Sequence, residues 1–313
     1  MPKVNSVTRL IYDIANKDYD AARRTISIMI DDERKGNKVN AARQLENALQ
    51  RWPNMMTLTE LPHHLKNFVW PDTNVKSLSE IYLDEDVNLA LQKFIRERRH
   101  AEKLSEAGLS ARKSILLGGP PGNGKTTLAS ALARELELPL ISTKMHGLVE
   151  SHLGESSRNI GKIFEYAMMN RCVLFIDEFD AIGTQRGHTG ESAGKELNGI
   201  VTTLLTNIDR LPDSSVFVAA TNIQDAIDPA LQRRFDLKLW LDHPDQSRIA
   251  EYVAEYQVKQ GIRFSRETPA MVADLIGKPW SVVEQMCLDL HKELILGELP
   301  DMEWIGKQAS MVI

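Results

Sequence analysis

Gly119-Pro120-Pro121-Gly122-Asn123-Gly124-Lys125-Thr126 fits the pattern G-x-x-x-x-G-K-[ST]. It follows the apolar run Ile115-Leu116-Leu117 and precedes a helical pattern from Thr126 to Leu136. Strand, loop and helix in that order are what a phosphate-binding loop requires. Glycines let backbone N–H groups close around phosphate oxygens with no side chain in the way. The helix that follows points its positive end at the same anion. Lys125 is expected to reach β- and γ-phosphates, and the Thr126 hydroxyl to ligate Mg²⁺. Gly119, Pro120, Pro121, Gly122, Asn123, Gly124 and Thr127 complete the expected nucleotide-contacting set. A chance lysine beside a Gly/Pro turn would not bring sequence, spacing and context into agreement.

Working outward from the loop, apolar runs recur at Ile115–Leu117, Leu138–Ser142, Val173–Ile176, Val216–Ala220 and Leu237–Leu241, with helical patterns between them. Near-continuous apolar strands joined by helices predict an α/β fold, a parallel sheet covered on both faces. Ligands then sit beyond the carboxyl ends of the strands, where the loop already lies. After Pro244 the pattern turns helical to about residue 297, with stripes at Ile249, Val253 and Tyr256 and at Val282, Met286, Leu288 and Leu290, which reads as a helical lid. Before the sheet, residues 1–55 read as a helical bundle or hairpin. A first short helix spans Val7 to Ala15. Tyr19, Ala22, Ile26, Met29 and Ile30 recur at helical spacing, as do Ala42, Leu45, Leu49 and Trp52, with a stop at Lys35-Gly36-Asn37 between them. The expected divisions are a helical unit 1–55, a linker 56–78, an α/β unit 79–243, a lid 244–297 and a tail 298–313.

Two strand ends carry the next chemistry. Val173–Ile176 runs into Asp177-Glu178, which places two carboxylates at the edge where the phosphate loop lies. Asp177 would hold Mg²⁺ through its water shell, and Glu178 would polarise an attacking water. Val216–Ala220 runs into Thr221-Asn222, and Asn222 could bond a γ-phosphate or that water; the alternative is a turn-forming asparagine after a strand. Arg233-Arg234 precedes the last strand. The pair is either a solvated basic doublet or a set of arginine fingers for a neighbouring subunit's γ-phosphate.

These motifs together resemble the AAA ATPases, the family of katanin, spastin and the AAA proteases. Gly119–Thr126 matches Walker A, Asp177-Glu178 Walker B, Ala219–Asn222 the sensor-1 strand and Asp228–Asp236 the second region of homology. The resemblance runs from about Leu78 to Leu290. It implies a five-stranded P-loop ATPase sheet, ATP and Mg²⁺ as ligands, and a homo-oligomeric ring, usually a hexamer, with ATP at the subunit interface. Arg233 and Arg234 would then act in trans. The compact Gln232-Arg233-Arg234-Phe235 lacks the Pro-Gly insert common in AAA proteases. Glu150–Ser156 matches the pore-loop region, and His152, followed by Leu153, stands where the family normally has a client-gripping aromatic. His152 is a candidate gripping residue or an ordinary exposed loop residue. Gly277–Val283 follows the family's lid pattern only loosely, without a sensor-2 arginine; Trp280 there reads as packing before nucleotide contact.

Composition narrows the partners. With 38 Lys and Arg against 43 Asp and Glu the net charge is −5, not the basic excess of a general nucleic-acid binder. The basic stretch Arg96–His100 reads as a solvated helix face. His63-His64 has no partner at metal-ligand spacing, and Cys172 and Cys287 imply no disulfide framework. No signal peptide or membrane-length apolar run opens the chain, so no membrane partner and a cytoplasmic site are expected. The functional expectation is ATP hydrolysis coupled to remodelling, unfolding or disassembly of a protein client, recruited directly or through an adaptor by the N-terminal helices. With no H-E-x-x-H present, any proteolysis would need a separate protease. A nucleic-acid-associated ATPase and an ATP-gated assembly switch are the alternatives; the acidic balance disfavours the first and Glu178 the second. The apolar end Ser310–Ile313 reads as a frayed or packed tail, or as a plug for a partner's pocket.

Overall fold

Alternation within the strands divides the apolar residues between two faces of one sheet. The computed structural model describes residues 4–15, 19–35, 41–45, 76–145, 155–184, 191–223, 227–264 and 272–297, with Lys38 and Leu148. Among these, strands β1 (Ser114–Gly118), β2 (Leu140–Lys144), β3 (Val173–Asp177), β4 (Val216–Thr221) and β5 (Leu237–Trp240) form a five-stranded sheet in the order β2-β3-β4-β1-β5. All pairings are parallel; Ser114 stands opposite Phe217, Ile115 opposite Leu237, and Lys144 opposite Asp177. The chain leaves β1 for one edge of the sheet and later returns to its other side as β5. This makes β1 the topological switch point, beyond whose carboxyl end ligands bind.

Leu116, Ile141, Leu174, Ile176, Phe217 and Ala219 face one core. Ile115, Leu117, Val173, Phe175, Val218 and Leu239 face the other. Burial on both faces explains why the strands read as continuous apolar runs. Helices α1 (Val4–Ala15) and α2 (Tyr19–Lys35) come first, then a 3₁₀ turn (Leu78–Glu80), α3 (Glu85–Arg99) and α4 (Ala101–Glu106). The crossovers carry α5 (Lys125–Glu135), α6 (Glu155–Met169), α7 (Ala181–Thr184), α8 (Glu191–Arg210) and α9 (Pro229–Gln232). The expected α/β architecture is therefore present. Phe217 is fully buried and touches Phe164, Phe179 and Phe235 at ring-centroid distances of 5.4, 6.2 and 5.5 Å. Phe217→Ala should cost about 3–5 kcal/mol of stability, read by urea unfolding with an unchanged slope.

The lid comprises α10 (Gln246–Gln260) and α11 (Trp280–Leu296), closed over Ile249, Val253, Val272, Leu275, Val283 and Met286. Leu288 departs from its expected stripe: it is 45% exposed while Val282, Met286 and Leu290 are buried. Two residues advance a helix by about 200°, so Leu288 must face away from Met286. In the N-terminal part, Ile26, Ile30 and Ala42 pack with Leu10 and Leu45, as the helical spacing requires. Gly36, Asn37, Leu49, Trp52, His63, His64 and the tail from 298 onward lie outside the described residues. Strand β2 begins two residues later than its apolar run, because Leu138 closes the turn after α5 and donates its N–H to Ala133 O at 2.9 Å. The basic stretch is less solvated than expected. Arg98 is half-buried and donates to Asp213 O, and Arg99 pairs with Glu135 at 2.8 Å.

Candidate nucleotide site

The loop between β1 and α5 is shaped by two backbone positions that a side chain would spoil. Gly119 has φ of 143°, and a Cβ there would lie 2.3 Å from Leu241 O. Gly122 has φ of 80°, and a Cβ would lie 2.5 Å from Ser281 Oγ. The first position lets the chain after β5 close against the loop; the second lets the lid do so. The contact is polar as well: Ser281 N–H donates to Gly122 O at 3.0 Å, and Trp280 N–H to Asn123 Oδ1 at 3.3 Å. Buried Asn123 donates its amide to Leu241 O at 3.0 Å, so one side chain joins loop, sheet edge and lid.

Lys125 is 7% exposed, and its Nζ donates back to Gly119 O at 2.6 Å and Pro120 O at 2.9 Å. Burial pushes its pKa below the ordinary lysine value, opposed by the nearby carboxylates of Asp177 and Asp180. A cation held against two carbonyls inside a glycine loop is already placed where an anion would meet it. Lys125→Ala should weaken ATP binding roughly a hundredfold, the scale of a lost charge-assisted contact. Titration with a fluorescent ATP analogue measures this, and wild-type affinity would remove Lys125 from the site.

Thr126, at the start of α5, donates its hydroxyl to Asp177 Oδ2 at 3.0 Å. Asp177 ends β3, and its other oxygen accepts the Glu178 N–H at 2.8 Å. Glu178 has φ of 55°, in the left-handed region. Such backbone costs a non-glycine residue energy and gathers at functional sites. Its carboxylate pairs with Lys144, the last residue of β2, at 3.2 Å. Asn222 follows β4 and is fixed by its N–H, which donates to Asp180 Oδ1 at 3.0 Å; the Thr221 hydroxyl donates to the same oxygen at 3.0 Å.

These strand ends and the loop open on one cavity of about 390 Å³. Pro121, Gly122, Asn123, Gly124, Lys125, Thr126, Thr127, Asp177, Glu178 and Asn222 all line it, in the size range of small-molecule sites. Gly119 and Pro120 do not line it, and serve instead as acceptors for Lys125. Lys76, Glu80, Ile81, Tyr82, Trp280, Ser281 and Glu284 complete its lining. Trp280 therefore lines the cavity while also packing on Tyr82 and Tyr252, with centroids 5.3 and 5.6 Å apart.

Arg233 and Arg234 lie elsewhere. Both are exposed, and Arg234 pairs with Asp209 at 3.1 Å. Arg234 O accepts the Ser114 hydroxyl at 2.9 Å, at the amino end of β1, whereas the phosphate loop leaves its carboxyl end. The arginines thus sit at the opposite edge of the sheet from the cavity. His152 and Leu153 lie outside the described residues. Asp180, Lys144 and the strap of residues 76–82 escaped the sequence reading. The signal for Asp180 was a third acid within three residues of Asp177, beside a strand that ends in Thr-Asn.

Residues 115–243 match the model of the ATPase family associated with various cellular activities (AAA). An uncharacterised AAA family ATPase of Sinorhizobium fredii, y4kL, is 33% identical over 289 residues, covering 90% of this chain and 86% of its own. The ATP-dependent zinc metalloprotease FtsH 3 of Synechocystis is 36% identical over 180 residues, 56% of this chain and 29% of its own. The 26S proteasome subunit RPT4 of Saccharomyces cerevisiae is 34% identical over 183 residues, 56% of this chain and 42% of its own. The chain thus spans most of the first relative but less than half of the other two.

Proposed function

The chain belongs to the AAA family of ATPases and is an ATP-hydrolysing enzyme, and from that premise we infer that it remodels, unfolds or disassembles a protein client. The observation that carries the reading is the convergence of Lys125, Thr126, Asp177, Glu178 and Asn222 on one cavity. In this reading Lys125 exchanges its two loop carbonyls for phosphate oxygens. Thr126 and Asp177 present adjacent hard oxygens that suit Mg²⁺, which when bound would neutralise charge on the phosphates. Glu178 leaves Lys144 to orient the attacking water, and Asn222, steadied by Asp180, holds the water or the γ-phosphate.

The placement of Arg233 and Arg234 away from their own cavity supports action on a neighbouring subunit's ATP, within a homo-oligomeric ring that we take to be a hexamer. Likeness to parts of a metalloprotease and of a proteasome subunit supports a protein client and a separate protease as partner. The N-terminal helices α1 and α2 are the proposed recruiting unit for client or adaptor.

The test is a pull-down with tagged Glu178→Gln in ATP, with and without nuclease. Nuclease-resistant enrichment of one or two proteins is expected. Enrichment that disappears with nuclease would make this a nucleic-acid-associated ATPase instead.

A further inference from the structure

Beside the strand ends and the loop, the cavity is lined by two pieces of chain that are distant in sequence. One is the strap 76–82, which precedes the ATPase core; the other is the start of lid helix α11. With the phosphates taken by the glycine loop in the proposed ATP site, the strap and lid are left to enclose the base and ribose.

Polar links join the strap to the lid. Lys76 Nζ meets Glu284 Oε1 at 2.6 Å, Lys259 Nζ meets Glu80 Oε1 at 3.5 Å, and the Tyr82 hydroxyl donates to Glu255. Glu80 is itself fixed: its other oxygen accepts the Ser77 N–H at 2.7 Å and the Ser77 hydroxyl at 2.9 Å, which holds its pKa down at about 2. The Tyr82 ring fits between Tyr252, at 5.1 Å, and Trp280, at 5.3 Å. The lid is tied in turn to the phosphate loop through Ser281 and Trp280. Phosphate loop, lid and strap are therefore linked in one wall of the cavity.

Within this set the Lys76–Glu284 pair differs from the other ion pair. Both of its members line the cavity, whereas Lys259 does not. Its side chains are 35% and 39% exposed, so the pair is neither dry nor fully solvated. A pair in that setting is weak enough to open often. While it is closed, two opposite charges link strap and lid at the cavity wall.

We propose that Lys76 and Glu284 form a latch between strap and lid that sets the rate at which nucleotide leaves the site. This rests on the cavity being the ATP site, as argued above. The latch acts on retention and not on bond breaking, because Lys76 and Glu284 bond to each other, whereas Asp177, Glu178 and Asn222 bond to Thr126, Lys144 and Asp180. The strap also leads directly, in sequence, from the N-terminal part of the chain, so whatever displaces the strap would open the latch.

A charge-reversal cycle on the full chain tests it. Release of ADP carrying an N-methylanthraniloyl group on its ribose is followed by stopped flow after chase with excess ADP. Lys76→Glu and Glu284→Lys should each speed release by about five- to tenfold, since each faces two like charges across the opening. Lys76→Glu/Glu284→Lys together should bring the rate back to within about twofold of wild type. That rescue separates a latch from a direct contact between Lys76 and nucleotide, which reversal of both charges would not repair. Melting temperatures of the singles within a few degrees of wild type would show that both fold. Unchanged release in either single variant, or no rescue in the double, overturns the latch alone. Failure of wild type to bind the labelled ADP would overturn the ATP-site reading, and the latch with it.

Discussion

Glu178→Gln should bind ATP with wild-type affinity and hydrolyse it about 10²–10⁴ times more slowly. The amide keeps the shape of the carboxylate but cannot accept a proton from water, and a positioned general base contributes on that scale. Binding should survive because, in the proposed site, Lys125 meets the phosphates and Thr126 the Mg²⁺, and neither depends on the Glu178 charge. The Asp177 contact to the Glu178 backbone N–H is also kept, so the turn stays folded. Single-turnover hydrolysis and equilibrium nucleotide binding, measured on the same preparation, separate the two effects. Turnover unchanged with binding intact would take Glu178 out of the mechanism. The substitution also removes the negative partner of Lys144, and Lys144→Ala distinguishes that loss from loss of the base. If the pair only parks the carboxylate, Lys144→Ala should leave turnover within a fewfold of wild type.

The second large effect concerns Arg233 and Arg234. Each changed to alanine should leave ATP binding intact and lower turnover by about 10³–10⁵, the range for a lost arginine finger. Arg234→Ala also breaks an exposed pair with Asp209, which contributes little to stability. The diagnostic result is a mixture. Arg233→Ala protomers keep an intact Glu178, and Glu178→Gln protomers keep an intact arginine. Mixed with one another, the two inactive variants should regain activity at those interfaces that combine one good half of each. Activity that stays absent at every mixing ratio, with co-assembly demonstrated, would argue that each subunit completes its own site. Normal hydrolysis by the single arginine variants would end the finger assignment outright.

The phosphate loop, the acidic strand end and the parallel sheet were legible in the sequence because each has a local cause. A buried parallel strand must be apolar along its length, and a phosphate loop must be glycine-rich at fixed offsets. The partners of these groups were not legible, because they come from elsewhere in the chain. Lys144 reaches Glu178 only because β2 and β3 pair with Lys144 opposite Asp177. Placing β2 two residues early hid that register. Asp180 gains its meaning from the Thr221 and Asn222 contacts across 41 and 42 residues. Trp280 read as packing because an aromatic in a helical stripe usually is; in the structure it both packs on Tyr82 and lines the cavity. The strap was hidden most completely, since Lys76 and Glu284 are 208 residues apart and follow no motif.

Strand order also governs how this chain is made. The interior strand β1 takes both of its partners, β4 and β5, from chain that is synthesised later. Ser114 waits for Phe217, roughly a hundred residues downstream, and Ile115 waits longer for Leu237. At about 5–20 residues per second a ribosome leaves β1 unpaired on both edges for about 5–20 s. During that interval a largely apolar strand and a glycine-rich loop lack their sheet partners, although β2 and β3 can already pair with one another. Non-local parallel pairing of this kind is slow to nucleate and prone to aggregation. The proposed remodeller of other proteins would therefore itself be a demanding client of the cell's chaperones while it is being born.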